Sequence, residues 1–395
     1  MLGAVIVVLG GTWYGLAHHG ATKAASAPSA GTSLSVPSRA PVTTTPPPPS
    51  GPTAWPGPLP WPIIIADRGN NRILEVTPDK QVVWSFPGVG AMPQGETFFG
   101  GDDAFFANNG SQIITNQEHN SAITILDYTS RKAVWEYGHP GIAGWQPGFL
   151  DYPDDAYVLP GGNVAVADIR NCRELIIAPD KHIVASWGSH SVCRDNPPHT
   201  FASPNGDTPL PNGDLLITEI NGNDGRAVRL TQTGQVLWNV HIPDVAYASD
   251  AQLLPPGDPN AGDVLVADYS RPGKVVIFNP QTGRVDWEYA VASGQGEISH
   301  PSIAVRLPNN DILVTDDYRN RVVVIDRASK QIVWQYGTTD LSGYAANQLY
   351  YPDGLDLDTF HTFPHTAAGH YSGPLDGGVP SGHAPGTVLA PDKGQ

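Results

Sequence analysis

Apolar residues in this chain fall in short runs, many alternating with polar residues, and each run is bounded by Gly, Pro, Asn or Asp. That pattern predicts β-strands, and no long stretch after residue 20 shows helical periodicity. The runs recur in a fixed order. "IIIADRGNNRILEVTPDKQVVWSF" begins at Ile63, "QIITNQEHNSAITILDYTSRKAVWEYG" at Gln112 and "NVAVADIRNCRELIIAPDKHIVASWG" at Asn163. Further copies begin at Asp214, Asp263 and Asp311. Each copy reads as strand, polar turn, strand, tight turn, and a third strand ending near a tryptophan. Trp84, Trp135, Trp187, Trp238, Trp287 and Trp334 are spaced 47–52 residues apart. A period near 50 with several strands per unit predicts a β-propeller.

Five of the units have another strand in front, starting at Asp103, Asp155, Asp207, Asp250 and Ser302. The unit at Ile63 lacks one. "DGLDLD", from Asp353, stands at the far end of the repeats with no unit after it. The expected fold is therefore all-β: a six-bladed propeller over residues 61–360, closed by three strands from the N-terminal segment and one from the C-terminal segment. Closure removes the exposed sheet edges that invite aggregation.

"ADRGNNRILEV", "ADIRNCRELII" and "TDDYRNRVVVID" resemble the turn of NHL repeats. "NPQTGRVDWEY" and "TQTGQVLWNV" resemble the tryptophan-docking repeat of quinoproteins (PQQ-like). The resemblance implies the fold and leaves the activity open, because such propellers host many functions. Quinoprotein dehydrogenases have eight blades and often adjacent cysteines; with six expected blades and no such cysteine pair, PQQ is not an expected cofactor here. Gluconolactonase-like hydrolases of six blades hold a central calcium on a mixed Glu/Asn/Asp set. The peptide-amidating lyase holds zinc on histidines. Neither ligand pattern is matched here, so the resemblance transfers no catalytic residue.

Charge and composition narrow the picture. The chain has 43 Gly and 39 Pro, and only 15% of its residues are charged. Residues 1–60 carry Lys23 and Arg39 and no acid, so the remainder has 20 basic and 38 acidic groups. Nucleic acid is excluded as an expected partner, since phosphate binding requires a basic face. Residues 1–20, with "LGAVIVVLGGTWYGLA", read as a signal peptide or membrane anchor. Residues 21–60 read as a disordered Pro/Thr/Ser-rich linker, and residues 361–395 as a disordered tail. The expected location is extracytoplasmic, either anchored at the cell membrane or secreted.

Several residues are candidates for chemistry. Asp67, Asp168 and Asp316 each precede an Arg by five positions (Arg72, Arg173, Arg321). Repetition around a ring favours turn capping and ion pairing within each blade over ligand binding. The tryptophans are expected to pack blade on blade. Cys172 and Cys193 are expected on one face, and in an exported protein they predict a disulfide.

Asp103, Asp155, Asp207, Asp250 and Asp353 start five inner strands, with Ser302 at the sixth. Pointing inward, they would repel one another unless some were protonated or a cation sat among them. Oxygen ligands favour a hard ion such as Ca²⁺. The structural alternative is that each caps backbone amides. Long inter-blade loops on the same face carry His139, Trp145, Tyr152, His199, His300 and Tyr351, a possible platform for a small-molecule, glycan or protein ligand, or simply loop anchors. The tail histidines His361, His365, His370 and His383 are scattered and show no ligand spacing. Two function classes follow: a ligand- or partner-binding propeller, and a metal-dependent hydrolase or lyase. A purely structural envelope role is a third reading.

Overall fold

The computed structural model describes residues 54–88, 90–190 and 192–363. The predicted export segment lies outside the described residues, as do the linker before residue 54 and the tail after 363. Among the described residues no helix is long and apolar enough to cross a membrane.

Six antiparallel sheets of four strands each make up the ring. Blade 1 is built from Ile63–Asp67, Arg72–Val76 and Val82–Phe86, with Pro352–Leu357 as its innermost strand. Ile63, Ile64 and Ile65 pair with Leu357, Asp356 and Leu355, so the chain closes on itself as its strand count predicts. The other inner strands are Gly101–Ala107, Pro153–Val158, Pro204–Pro209, Ala248–Leu253 and Ala304–Arg306.

Four of the six second strands, such as Ile63–Asp67 and Val164–Asp168, are buried at every residue, and the other two are exposed only at an end. This explains why they read as continuous apolar runs: both of their faces meet neighbouring blades. The blades are joined by the tryptophans. The indole N–H of Trp84 donates to Tyr128 O at 2.8 Å and that of Trp135 to Pro179 O at 2.9 Å. Trp287 donates to Arg327 O at 2.9 Å, and Trp334 to Pro78 O at 2.8 Å. Each bond reaches the outer turn of the next blade, and the last runs from blade 6 to blade 1. A buried indole needs such an acceptor, so the repeat joins apolar contact to a directional bond.

A second repeated device holds the inter-blade loops. A residue at or near the end of each second strand accepts a backbone N–H from the loop before an inner strand. Asp67 accepts from Tyr350 at 2.7 Å, Gln117 from Phe99 at 3.0 Å and Asp168 from Asp151 at 2.8 Å. Glu219 accepts from Ala202 at 2.7 Å, Asp268 from Tyr247 at 3.0 Å and Asp316 from Ser299 at 2.7 Å. In three blades an arginine completes the clamp. Arg72, Arg173 and Arg321 donate Nε to Asp67, Asp168 and Asp316 at 2.6, 2.7 and 2.6 Å. Most of their remaining nitrogens reach loop carbonyls, for example Tyr344 O and Gln348 O from Arg72, both at 3.0 Å, while Nη1 of Arg321 donates to the Gln335 and Thr339 side chains. These Asp–Arg pairs are loop anchors. Cys172 and Cys193 form a disulfide with Cα atoms 5.3 Å apart, tying the second-to-third-strand turn of blade 3 to the loop leaving that blade.

Candidate functional site

The pairing at the start of the inner strands builds the site. Gly101 faces Gln117 and Ala104 faces Thr115, so three steps of the inner strand oppose two of its neighbour. The same shift lies between Pro153 and Ala156, Pro204 and Asp207, Ala248 and Ala251, and Pro352 and Leu355. A β-bulge of this kind adds one residue and re-aims side chains. The two residues inside each bulge define two tiers. Asp102, Asp154, Asn205, Ser249 and Asp353 come first, joined by Ser302 of blade 6, and these six line the channel mouth. Asp103, Asp155, Gly206, Asp250 and Gly354 come second, deeper in the channel, with Ile303 of blade 6 at this level.

The five aspartates expected to form a single ring therefore occupy three positions. Asp353 belongs to the mouth, while Asp103, Asp155 and Asp250 form the lower tier. Asp207 sits one step further, where its carboxyl interacts with that of Glu174 of blade 3 across the blade interface. Aligning the blades on their aspartates shifts two of them by a residue, and only the backbone pairing reveals the shift. The lower tier is tight. A Cβ on Gly354 would lie 2.3 Å from Asp103 Cα, so the inner strands of blades 1 and 2 approach closely where a side chain is absent.

The mouth is lined by Arg68, Asp102, Glu118, Asp154, Asn205, Tyr247, Ser249, Tyr269, Ser302 and Asp353 around about 260 Å³ of space that is open to solvent on one side. Only about 20 Å³ of this space is enclosed, which is room for an ion or one or two waters and not for an organic ligand. Arg68 is the single basic residue among the described lining. Its Nη1 lies 2.8 Å from both Asp102 Oδ1 and Asp353 Oδ2, and its Nη2 bonds Glu118. His119 stands 3.3 Å from Nη2 and, through its other nitrogen, 2.8 Å from the Tyr152 hydroxyl. Asn205 donates to Asp154. Ser302 donates to Asp317 at 2.7 Å, which gives blade 6 an acid although its strand starts with serine.

Carboxyl groups outnumber the arginine severalfold. Burial, reinforced by neighbouring carboxylates, pushes Asp103 and Asp155 well above the usual carboxylate range. Burial does the same to Asp102 and Asp317 against the pull of Arg68. Asp250 is pushed by burial to about 6, moderated by the Thr208 hydroxyl at 2.9 Å. Oxygens of Asp103, Asp154 and Asp155 lie within 4.8 Å of one another, as do those of Asp102, Glu118 and Asp154. Asp155 is 2% exposed, and its Oδ2 has no hydrogen-bond partner among the described residues.

The aromatic candidates divide. Tyr152 and Tyr351 immediately precede inner strands and His300 stands four residues before one; their φ values are 64°, 47° and 54°. A left-handed backbone at bulky residues costs about 1–3 kcal/mol and persists only where surroundings enforce it. His300 packs on Tyr269 of the mouth, and Tyr152 and Tyr351 pack on residues next to the lining. Tyr152 bonds His119, while His300 lies 5.0 Å from Tyr269 and 3.9 Å from Tyr318, itself 5.0 Å from Tyr351. Trp145 instead stacks on its loop neighbour His190 at 4.0 Å, and His139 packs at a tilt on Phe149 at 4.1 Å. His199 is exposed on its own loop.

Sequence reading missed Arg68, Asp102, Glu118, Asp154, Asn205, Tyr269 and Asp317. Two signals were present. The doublets Asp102–Asp103 and Asp154–Asp155 stand where alternation would place one residue inward and one outward. Arg68, Glu118, Tyr269 and Asp317 each directly follow the residue that ends a second strand.

Comparison with known proteins supports the architecture. Residues 197–342 match the PQQ-like family described as outer membrane protein assembly factor BamB. No curated protein matches significantly. A crystal structure of a protein of unknown function from Bacteroides caccae is similar at 16% identity and a TM-score of 0.53, covering 75% of this chain and 97% of that one. A chain of a nidogen/laminin complex is similar at 14% identity and a TM-score of 0.51, covering 74% and 97%. At these identities the likeness is one of fold. The chain is a six-bladed β-propeller, with PQQ-like repeats over residues 197–342.

Proposed function

We propose that this protein is an extracytoplasmic binding propeller, tethered by its N-terminal segment, that takes a hard divalent cation such as Ca²⁺ in the channel mouth and presents a ligand-binding face around it. The observation that carries the reading is the buried trio Asp103, Asp154 and Asp155, with Asp155 Oδ2 unpartnered beneath a mouth that holds one arginine. Repelling carboxylates in a desolvated ring need protons or a cation, and all-oxygen ligands select Ca²⁺ over zinc or copper. The disulfide and the BamB-like match fit an extracytoplasmic setting. The aromatic arc of Tyr269, His300, Tyr318 and Tyr351 beside the mouth offers ring faces to a small-molecule, glycan or protein ligand.

The test is calorimetric titration of the chelator-treated chain with Ca²⁺, beside Asp155→Asn. Binding of one equivalent, weakened at least about tenfold by the isosteric change, supports the reading. Absence of binding, or equal affinity in the variant, removes the cation from it.

One observation favours a metal-dependent hydrolase or lyase as a second reading. Burial, helped by Arg271, holds His300 at about 4, so at neutral pH its imidazole is uncharged and offers a lone pair on the same face. Turnover of a lactone, ester or peptide by the calcium-loaded chain, lost in His300→Ala with calcium binding intact, would establish it.

A further inference from the structure

On the face opposite the mouth, where the closing strand ends, a different set of ligand types converges. Glu75 lies in the third strand of blade 1, between Ile64 and Trp84, and is fully buried. Its Oε2 accepts from the Tyr128 hydroxyl of blade 2 at 2.6 Å, and its Oε1 has no hydrogen-bond partner among the described residues. Asp358 directly follows the closing strand, is also fully buried, and is held by its N–H bond to Pro62 O at 2.8 Å. The chain then turns so that Asp358 Oδ1 accepts from the N–H groups of Phe360 and His361 at 2.9 and 3.0 Å. The turn brings the His361 ring flat against Tyr128, with centroids 3.9 Å apart and planes 11° apart. His361 Nδ1 stands 3.1 Å from both oxygens of Asp358. One ligand atom from each of Glu75, Asp358 and His361 lies within 4.8 Å of the other two.

We infer that Glu75, Asp358 and His361 form a second metal site, selective for a first-row divalent ion such as Zn²⁺, that latches the chain leaving the closing strand to blade 1. The imidazole separates this site from the all-oxygen mouth, because one nitrogen and two carboxylates suit zinc better than calcium. Glu75 Oε1 supplies the independent sign of a missing partner. Burial and the facing Asp358 push the Glu75 carboxyl up to about 9. The ligands are 283 and 286 residues from Glu75 in sequence, so one ion would pin the two halves of the ring closure.

The test uses the full chain with Ca²⁺ in excess, so that the oxygen ligands of the mouth do not compete for zinc. Titration with Zn²⁺ should show one site, and Co²⁺ in its place should give the visible bands of a low-symmetry nitrogen–oxygen site. Glu75→Gln and His361→Ala should each weaken zinc at least about tenfold and abolish the cobalt spectrum. Glu75→Gln replaces the carboxyl by an amide of nearly equal size, so it tests ligation with little change in packing. Asp155→Asn, at the mouth, should leave zinc binding unchanged. The inference is overturned if the wild-type chain takes up no zinc, or if His361→Ala binds it as wild type does. Either outcome leaves the calcium reading of the mouth standing.

Discussion

Arg68 offers the sharpest test of the mouth's electrostatics. Arg68→Met keeps the aliphatic stem and removes the one cation among Asp102, Glu118 and Asp353. The residue is only 9% exposed, so water cannot take its place fully. At an effective dielectric of about 20, one ion pair at 4 Å is worth about 4 kcal/mol. Three such pairs do not sum, because an abandoned carboxylate can protonate at about 1.4 kcal/mol per pH unit above its ordinary value. Removing one partner of a buried pair costs about 3–5 kcal/mol, and that is the expected loss at pH 8. At pH 5 protonation is about 4 kcal/mol cheaper, so the loss should shrink to below about 2 kcal/mol. Urea unfolding at both pH values with chelator present measures this, provided the m-value is unchanged. A loss under about 1 kcal/mol at pH 8, or equal losses at both, would refute the argument.

Three further outcomes are expected. The chelated chain should lose stability as pH rises: its buried carboxyls hold protons in the fold that the unfolded chain releases from about pH 4 upward. The loss should accrue through about 6 for Asp250, 7 for Glu219 and 9 for Glu75, and a melting temperature that is flat or rising from pH 5 to 9 contradicts it. Trp334→Phe removes the bond to Pro78 that closes the ring and should cost about 1 kcal/mol, with faster amide exchange in blades 1 and 6; unchanged exchange there argues against a closing role. Cys172→Ser opens a bridge spanning 21 positions and should cost about 3 kcal/mol in the chain-entropy model, while unaltered unfolding under oxidising conditions counts against it.

The sequence by itself determined the ring. Six tryptophans at near-equal spacing, a unit without its first strand at Ile63 and an orphan strand at Asp353 specify six blades and their closure. Repeats report equivalent positions, and the local turn residues mark each strand. The Asp–Arg anchors and the Cys172–Cys193 bridge were readable for the same reason, since repetition or redox setting constrains each of them. Only the tertiary structure decided the site. A bulge re-aims side chains without leaving a mark in hydrophobic alternation, so the aspartates read as one ring divide among the mouth, the lower tier and a blade interface. Arg68 and Glu118, 50 residues apart, meet because consecutive turns converge on the channel axis. His361 lacks any ligand spacing, and it reaches Glu75 only because closure carries the chain's end back to its first blade. Periodicity encodes which strands pair, but the convergence of side chains depends on three-dimensional closure, which no local pattern records.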